Sequence, residues 1–234
     1  MVVVPTYNEA HNLPELVRRL FALSLSSLKL LVVDDNSPDG TGNVADKLEQ
    51  TYPGSVQVLH RTTKLGMGTA YVEGFQFALQ QGADVLVQMD ADLSHTPEDL
   101  PKLVEALSSA DVAVGSRYCP GGALDPNWGW QRRLISRLGN LYARWASGVR
   151  VRDATGGFKA YRVQVLQKLN LNAIRSRGFA FQIEVAHQCQ HRCFRIVEVP
   201  ILFLDRKKGS SKLSHQIVLE ALWRLPLLRW ARYT

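Results

Sequence analysis

The sequence predicts an α/β fold: a mostly parallel central sheet flanked by helices, with an amphipathic helix at its C-terminal end. Three observations lead there. In the first half, short Val- and Leu-rich runs alternate with segments of helical periodicity, the mark of strand–helix–strand units. The runs are apolar at consecutive positions, so the sheet is covered on both faces. Three of them end in clusters of acidic or turn-forming residues, at the edge where such sheets collect ligands.

Residues 1–4, 28–33, 55–60, 85–89 and 112–115 read as buried strands bounded by turn residues. Helical patterns fill 13–23, 44–52, 68–81 and 97–108. Asn12 is expected to cap the first helix and Thr96 the fourth, with Pro97 in its first turn. The second half is less regular. Residues 117–130 contain Pro120-Gly121-Gly122 and Asp125-Pro126-Asn127 and read as a loop. Helices are expected at 131–146 and 179–190, and strand-like runs at 158–161 and 194–203. A loop at 205–212 leads to an amphipathic stretch at 213–233, in which Pro226 should kink or break the helix. No repeat or low-complexity linker intervenes, so residues 1–212 form one domain and residues 213–234 an appendage.

The 234 residues are 46% apolar and 21% charged, which excludes disorder, collagen and coiled coil. Three cysteines without a C-x-x-C pair give no disulfide framework, and a reducing, cytosolic setting follows. The first residues have no signal-peptide pattern, and nowhere do 18 apolar residues run together. The net charge of +7 hides a split: residues 1–115 sum to −8 and residues 116–234 to +15. An acidic half suits a cation, and a basic half suits phosphates or an anionic surface; solvated faces that merely differ are the plainer alternative.

The residues after the strands carry the chemistry. They are Pro5-Thr6-Tyr7-Asn8-Glu9, then Asp34-Asp35-Asn36-Ser37-Pro38-Asp39-Gly40, then Asp90-Ala91-Asp92-Leu93-Ser94-His95. Asp90-x-Asp92 at a strand end turns two carboxylates towards one hard cation such as Mg²⁺ or Mn²⁺; solvated carboxylates near a helix start are the alternative. Asp34 accepts from a base or ribose, or else serves the turn. Gly66-Met67-Gly68 fits neither the dinucleotide nor the P-loop spacing, which sets aside dehydrogenases and P-loop kinases.

These runs, with Val33-Asp34-Asp35-Asn36-Ser37 and Lys64-Leu65-Gly66, resemble the family 2 glycosyltransferases of the GT-A (Rossmann-like) fold. Gly115-Ser116-Arg117-Tyr118, Arg132-Arg133-Leu134-Ile135-Ser136, Thr155-Gly156-Gly157-Phe158 and Asp205-Arg206…Gly209-Ser210-Ser211-Lys212-Leu213 narrow the resemblance to the dolichol-phosphate (polyprenol-phosphate) mannosyltransferases. The resemblance implies inverting transfer of mannose from GDP-mannose to a dolichyl or polyprenyl phosphate. It implies that Pro5, Tyr7, Glu9, Val33, Asp34, Lys64 and Ala91 line the nucleotide site with Asp90 and Asp92, which also hold Mg²⁺ or Mn²⁺. Some relatives carry a longer Gln where this chain has Ser94, so Ser94 is a metal ligand directly or through a water. Arg117, Arg132, Ser136, Arg206 and Lys212 would gather the phosphates, with Arg117 joining Asp90 and Asp92 in catalysis. An acceptor that is already anionic needs no general base, only alignment and offset charge.

The resemblance further implies work at a membrane, peripherally and on the cytoplasmic side, with an anchoring subunit or membrane helices beyond this chain. Apolar and aromatic residues beside Arg224, Arg229 and Arg232 suit a helix in the lipid interface; docking on the protein's own core is the alternative. A UDP-glucose-dependent glucosyltransferase and a non-catalytic basic module are the competing functions, although no nucleic-acid motif is present. His187-x-Cys189-x-His191-x-Cys193 is set aside as a zinc site, because on a helix its His and Cys pairs face about 200° apart. Trp128 and Trp130 shield an acceptor channel or pack on the core, and His95 touches substrate or belongs to the helix start.

Overall fold

The computed structural model describes residues 1–176, 178–205 and 215–229, and only the backbone of 215–221. Its strands are β1 (Val2–Thr6), β2 (Leu30–Asp34), β3 (Val56–His60), β4 (Val85–Gln88), β5 (Val112–Ser116), β6 (Ala123–Leu124), β7 (Lys159–Arg162), β8 (Ile196–Pro200) and β9 (Leu202–Phe203). Its helices are α1 (Leu13–Phe21), α2 (Thr41–Thr51), α3 (Met67–Gln80), α4 (Leu100–Ala106), α5 (Trp130–Ser147), α6 (Val163–Lys168), α7 (Ala180–His191) and α8 (His215–Leu228).

Seven strands form one sheet in the order β3-β2-β1-β4-β7-β5-β8. All its pairings are parallel except those of β7, which runs antiparallel to both β4 and β5. The order reverses between β1 and β4, which opens a crevice at their carboxyl ends. Register brings Thr6 opposite Asp34, and Asp34 opposite His60. The consecutive apolar residues divide as a two-residue period demands. Val2 and Val4 enter the core under α1 and α4, while Val3 enters the opposite core with Tyr71 and Phe75 of α3. A Cβ at Gly74 would come within 2.4 Å of Val3 Cγ1, so glycine is what lets α3 lie directly on β1.

The structure corrects several expectations. Neither Asn12 nor Thr96 makes a side-chain cap; the Asn12 amide instead donates to Glu9 Oε2 at 2.8 Å. The helix expected from residue 97 begins as a 3-10 turn, Pro97–Asp99, and restarts as α4. Pro101 has no N–H to give the Pro97 carbonyl, so an unbroken α-helix is barred there. The loop at 117–130 contains β6, which pairs with β9 in a small second sheet. The run at 194–203 is accordingly two strands, changing sheets at buried Ile201. Pro226 lies inside α8, which continues through Leu228 without the predicted break. Helix α8 also docks: Leu225 and Leu228 are buried against Ala143, Ala146, Ile183 and Ala186 of α5 and α7.

Candidate active site

The acidic loops meet at the carboxyl ends of β1, β2 and β4. The loop after β1 is stitched to the loop after β2. The Asn8 N–H donates to Ser37 Oγ (3.1 Å), the Glu9 N–H to Thr41 Oγ1 (2.9 Å) and the Ala10 N–H to Asp39 Oδ2 (3.2 Å). Buried Asp34 accepts from the Ser37 N–H and hydroxyl and from Thr6 Oγ1. Of the two readings of Asp34, the turn is the one this geometry displays. Its neighbour Asp35 reaches further, accepting Arg61 Nη1 at 2.7 Å and the N–H groups of Leu65 and Gly66. That brace holds residues 61–66 so that Lys64 Nζ lies 3.6 Å from the centre of the Tyr7 ring. Pro5 lies one residue before the end of β1, in register with Val33. The side chains of Val33 and Ala91 are buried in the two cores and support this edge from below.

Three residues in these loops, Asn8, Asn36 and Leu93, take left-handed backbone angles with φ of 60°, 56° and 60°. For a leucine this costs roughly 1–2 kcal/mol, and such strain gathers where a chain must present functional groups. The bend at Leu93 follows Asp92, whose Oδ1 accepts both the N–H (3.0 Å) and the hydroxyl (2.6 Å) of fully buried Ser94. Ser94 thus orients Asp92. Asp90 Oδ1 accepts the Tyr71 hydroxyl at 3.1 Å. Burial, reinforced by Asp90, pushes the Tyr71 hydroxyl well above its ordinary pKa, so it stays a donor.

The donor set suits a hard divalent cation. It is all oxygen, and the Asp90 side chain remains 31% exposed. A Cβ at Gly157 would stand 3.1 Å from Asp90 Oδ2, so a larger residue would press on that oxygen by a few tenths of an ångström. Among the described residues no three His, Cys, Asp or Glu side chains converge on a metal position. Two carboxylates with a diphosphate completing the shell is the arrangement that Mg²⁺ and Mn²⁺ commonly take.

His95 is buried, with its ring stacked on Phe158 (5.3 Å) and edge-on to Phe203 (5.4 Å). Burial lowers its pKa despite nearby Asp90 and Asp92, which keeps it neutral. Phe203 then links the carboxylates to the predicted phosphate residues. The Arg117 guanidinium lies 5.1 Å from its ring centre, and Trp128 packs edge-on against it at 5.8 Å. Arg132 covers Trp128 at 3.8 Å. Tyr118, beneath Arg117, bonds through its hydroxyl to Ser136 at 2.7 Å. Arg117, Arg132 and Ser136 therefore belong to one connected patch, whereas Arg206 and Lys212 lie outside the described residues.

The arginines of that patch are already paired. Arg117 Nε and Nη2 each donate to Asp153 at 2.7 Å, and Nη2 also donates to Thr155. Burial opposes both charges, but mutual attraction outweighs it, raising the Arg117 pKa and lowering that of Asp153. Arg132 Nη1 meets both Asp205 oxygens at 2.9 Å. Sequence reasoning quoted Gly157 and Asp205 within motif runs without giving either a role, and missed Asp153, Phe203 and Arg61. The one available signal was Asp153 and Asp205 standing as isolated acids in a basic half.

Trp128 is buried, as packing on the core requires, whereas Trp130 is exposed and does not pack there. The rings of His187 and His191 stack at 6.2 Å while Cys189 is buried, in keeping with setting the cluster aside as a zinc site. A cavity of about 380 Å³ opens at the other edge of the sheet, beside Met1, Lys29 and Asp84. It holds none of the predicted site residues.

Comparisons with known proteins agree with this architecture. The chain is 46% identical over 226 residues to a polyprenol monophosphomannose synthase of Mycolicibacterium smegmatis, covering 96% of this chain and 84% of that one. It is 47% identical over 230 residues to an undecaprenyl-phosphate mannosyltransferase of Micrococcus luteus, covering 98% and 93%. To a dolichol-phosphate mannosyltransferase of Pyrococcus furiosus it is 40% identical, covering 98% of this chain and 63% of that one. In fold it is similar to glucosyl-3-phosphoglycerate synthase of Mycobacterium tuberculosis solved with Mn²⁺, UDP-glucose and phosphoglyceric acid. There the TM-score is 0.69 at 18% identity, covering 100% of this chain and 80% of that one. A mannosyltransferase of Pyrobaculum calidifontis, solved with GDP-Man and Mn²⁺, gives a TM-score of 0.60 at 19% identity over 89% and 57% of the two chains. The model of the glycosyl transferase family 2 matches residues 1–169, and the chain belongs to that family.

Proposed function

We propose that the chain is an inverting, metal-dependent mannosyltransferase that moves mannose from GDP-mannose to a dolichyl or other polyprenyl phosphate, giving the β-mannosyl phosphate. The observation that carries this reading is the connected path from Asp90 through His95 and Phe203 to Arg117 at one edge of the sheet. It joins a diphosphate-type cation site to a phosphate-type site. The names of the relatives, polyprenol, undecaprenol and dolichol phosphate mannosyltransferases, supply the sugar and the acceptor.

In this mechanism Tyr7 and Lys64, with Pro5 and Glu9, receive the nucleoside, and Asp34 shapes the loop beside them. Asp90 and Asp92 would hold Mg²⁺ or Mn²⁺ against the diphosphate, and Ser94 keeps Asp92 aimed. A cation there disperses the charge that develops on the departing diphosphate. A phosphate oxygen of the acceptor attacks the anomeric carbon as the bond to the diphosphate breaks. No proton needs to be abstracted, which suits a His95 that is buried, neutral and wedged between aromatic rings. Arg117, held by Asp153, meets the reactants without reorganising. Arg132, Ser136, Arg206 and Lys212 are assigned to the phosphates. The setting is peripheral to the cytoplasmic face of a membrane, with an anchoring subunit or membrane helices outside this sequence as the further attachment.

The test is a donor panel of GDP-mannose and UDP-glucose with short polyprenyl phosphates, with and without EDTA. Transfer is expected from GDP-mannose alone, lost with EDTA and restored by Mg²⁺ or Mn²⁺. Transfer from UDP-glucose in its place would overturn the donor assignment, and EDTA-resistant transfer the metal.

A further inference from the structure

The loop that carries Asp153 is gripped from two elements at once. Asn140, on the buried face of α5, donates through Nδ2 to the Arg152 carbonyl at 2.5 Å and accepts the Ala154 N–H on Oδ1 at 2.9 Å. Glu198 of β8 accepts the N–H groups of Arg152 at 2.9 Å and of Asp153 at 3.0 Å. Two side chains thus occupy four backbone groups of three consecutive residues. Connecting segments ordinarily give such groups to water and move. Asn140 is only 6% exposed, and burying an amide costs free energy unless its hydrogen bonds are made. An apolar residue would fill the same place without that cost, so what the amide supplies is the position of residues 152–154.

That position serves Arg117. The wholly buried Asp153 carboxylate accepts the Arg117 backbone N–H at 3.0 Å and its Nε and Nη2 at 2.7 Å. A Cβ at Gly156 would stand 3.3 Å from Asp153 Cγ, so the loop also packs closely on its own carboxylate. Arg117 therefore goes where residues 152–154 go. Helix α5 turns Leu138, Leu141 and Trp145 outward and keeps Asn140 inside. About one turn earlier on α5, Ser136 bonds to Tyr118 at 2.7 Å beside Arg117, and Arg132 precedes it by another four residues. The helix that carries two of the residues assigned to the acceptor phosphate thus also fixes the third, through Asn140 and Asp153. The loops assigned to the nucleoside are held by other bonds, from Asn8 and Glu9 to Ser37 and Thr41.

We propose that Asn140 and Glu198 are positioning residues for the acceptor phosphate: they hold residues 152–154 so that Asp153 sets Arg117 in register with Ser136 and Arg132 of α5. Both act on Arg117 through Asp153. The inference deepens the function proposed above and rests on its assignment of Arg117, Arg132 and Ser136 to the acceptor. A misplacement of about 1 Å at a reacting contact can cost on the order of 10²-fold in rate, even when its cause lies far from the chemistry.

The test is steady-state kinetics of the full chain with GDP-mannose and a short, water-soluble polyprenyl phosphate, for wild type, Asn140→Ala and Glu198→Ala. In Asn140→Ala the KM for the acceptor is expected to rise about tenfold, as a displaced contact would make it. The KM for GDP-mannose should stay within about twofold, because binding to the nucleoside loops is untouched. Glu198→Ala should raise the acceptor KM by about threefold, since at a half-exposed site water replaces part of what is lost. It carries the same test should Asn140→Ala not fold. A purely structural loss would lower the amount of active enzyme and leave both KM values alone. In an Asp153→Asn background, Asn140→Ala should add less than about twofold to the acceptor KM, because residues acting through one contact are not additive. An unchanged acceptor KM in both variants would overturn the inference, as would equal rises in the two KM values or full additivity with Asp153→Asn. A wild type that transfers mannose to no polyprenyl phosphate would overturn the proposed function and this inference with it. Failure of the inference alone shows only in the variants.

Discussion

At the edge formed by β1, β2 and β4, Asp34 and Asp92 are held by hydroxyls and backbone N–H groups, Asp34 by Thr6 and Ser37 and Asp92 by Ser94, while Asp35 is paired with Arg61. Beyond β7, basic side chains are held by carboxylates: Arg117 by Asp153, Arg132 by Asp205. The first mode orients a carboxylate through neutral donors. The second fixes a guanidinium while cancelling much of its charge, so the surplus of the basic half lies elsewhere, Arg133, Arg137 and Arg144 of α5 being part of it. A difference of −8 against +15 between the halves is therefore not a simple opposition of metal and phosphate sites. What differs between the two regions is that Asp34 and Asp92 are oriented by neutral donors, and Arg117 and Arg132 by ion pairs.

The sharpest way to break that contrast is Asp153→Ala. The carboxylate is wholly buried and its partner nearly so, so removing it strands a buried charge, at a cost of about 3–5 kcal/mol. Urea unfolding reads this directly; a loss below about 1 kcal/mol would put the pair with ordinary surface bridges. Asp92→Ala tests the other mode. It should lower turnover by about 10²–10³-fold, as loss of one electrostatic contact to the transition state does, and near-normal activity would remove Asp92 from the cation site.

A smaller effect comes from Lys159, a buried cation with no carboxylate partner, whose ammonium donates to the Gln182 carbonyl and side-chain oxygens. Burial lowers its pKa from 10.5 to about 8. Between these values the unfolded chain holds more protons than the folded one, so this group makes stability rise with pH from about 8 to 10.5. Its contribution is complete above 10.5 and lost as pH falls through 8. Lys159→Met should flatten that slope in thermal melts taken across the window. An unaltered slope would mean that Lys159 keeps its ordinary pKa.

Much of the site was legible because strand ends are local. A Val-rich run followed by Asp-x-Asp places both carboxylates at a sheet's carboxyl edge whatever the rest of the chain does. Asp34 and Asp35 show where that legibility stopped. Both end β2, yet one closes its own turn and the other reaches Arg61, 26 residues on, and nothing in the dipeptide tells them apart. The pairings of Asp153 and Asp205 were hidden for the same reason, since their partners lie 36 and 73 residues away. The caps failed too. Asn12 has the right residue type, but its backbone is already helical, with φ of −88° and ψ of −33°, where a capping residue is extended.

The sequence by itself determined the strand–helix alternation, the two-faced burial of the parallel strands, the edge that carries the acids and the family resemblance. Each depends on side-chain type at short, periodic spacing. Only the tertiary structure decided that β7 enters antiparallel between β4 and β5, that Phe203 and His95 bridge the acids to Arg117, and that α5 leaves its leucines and tryptophans outside. Those outcomes depend on which distant segments come to lie side by side. A helical stripe reads the same in sequence whether it faces a core or the outside, and only the packing of its neighbours tells the two apart.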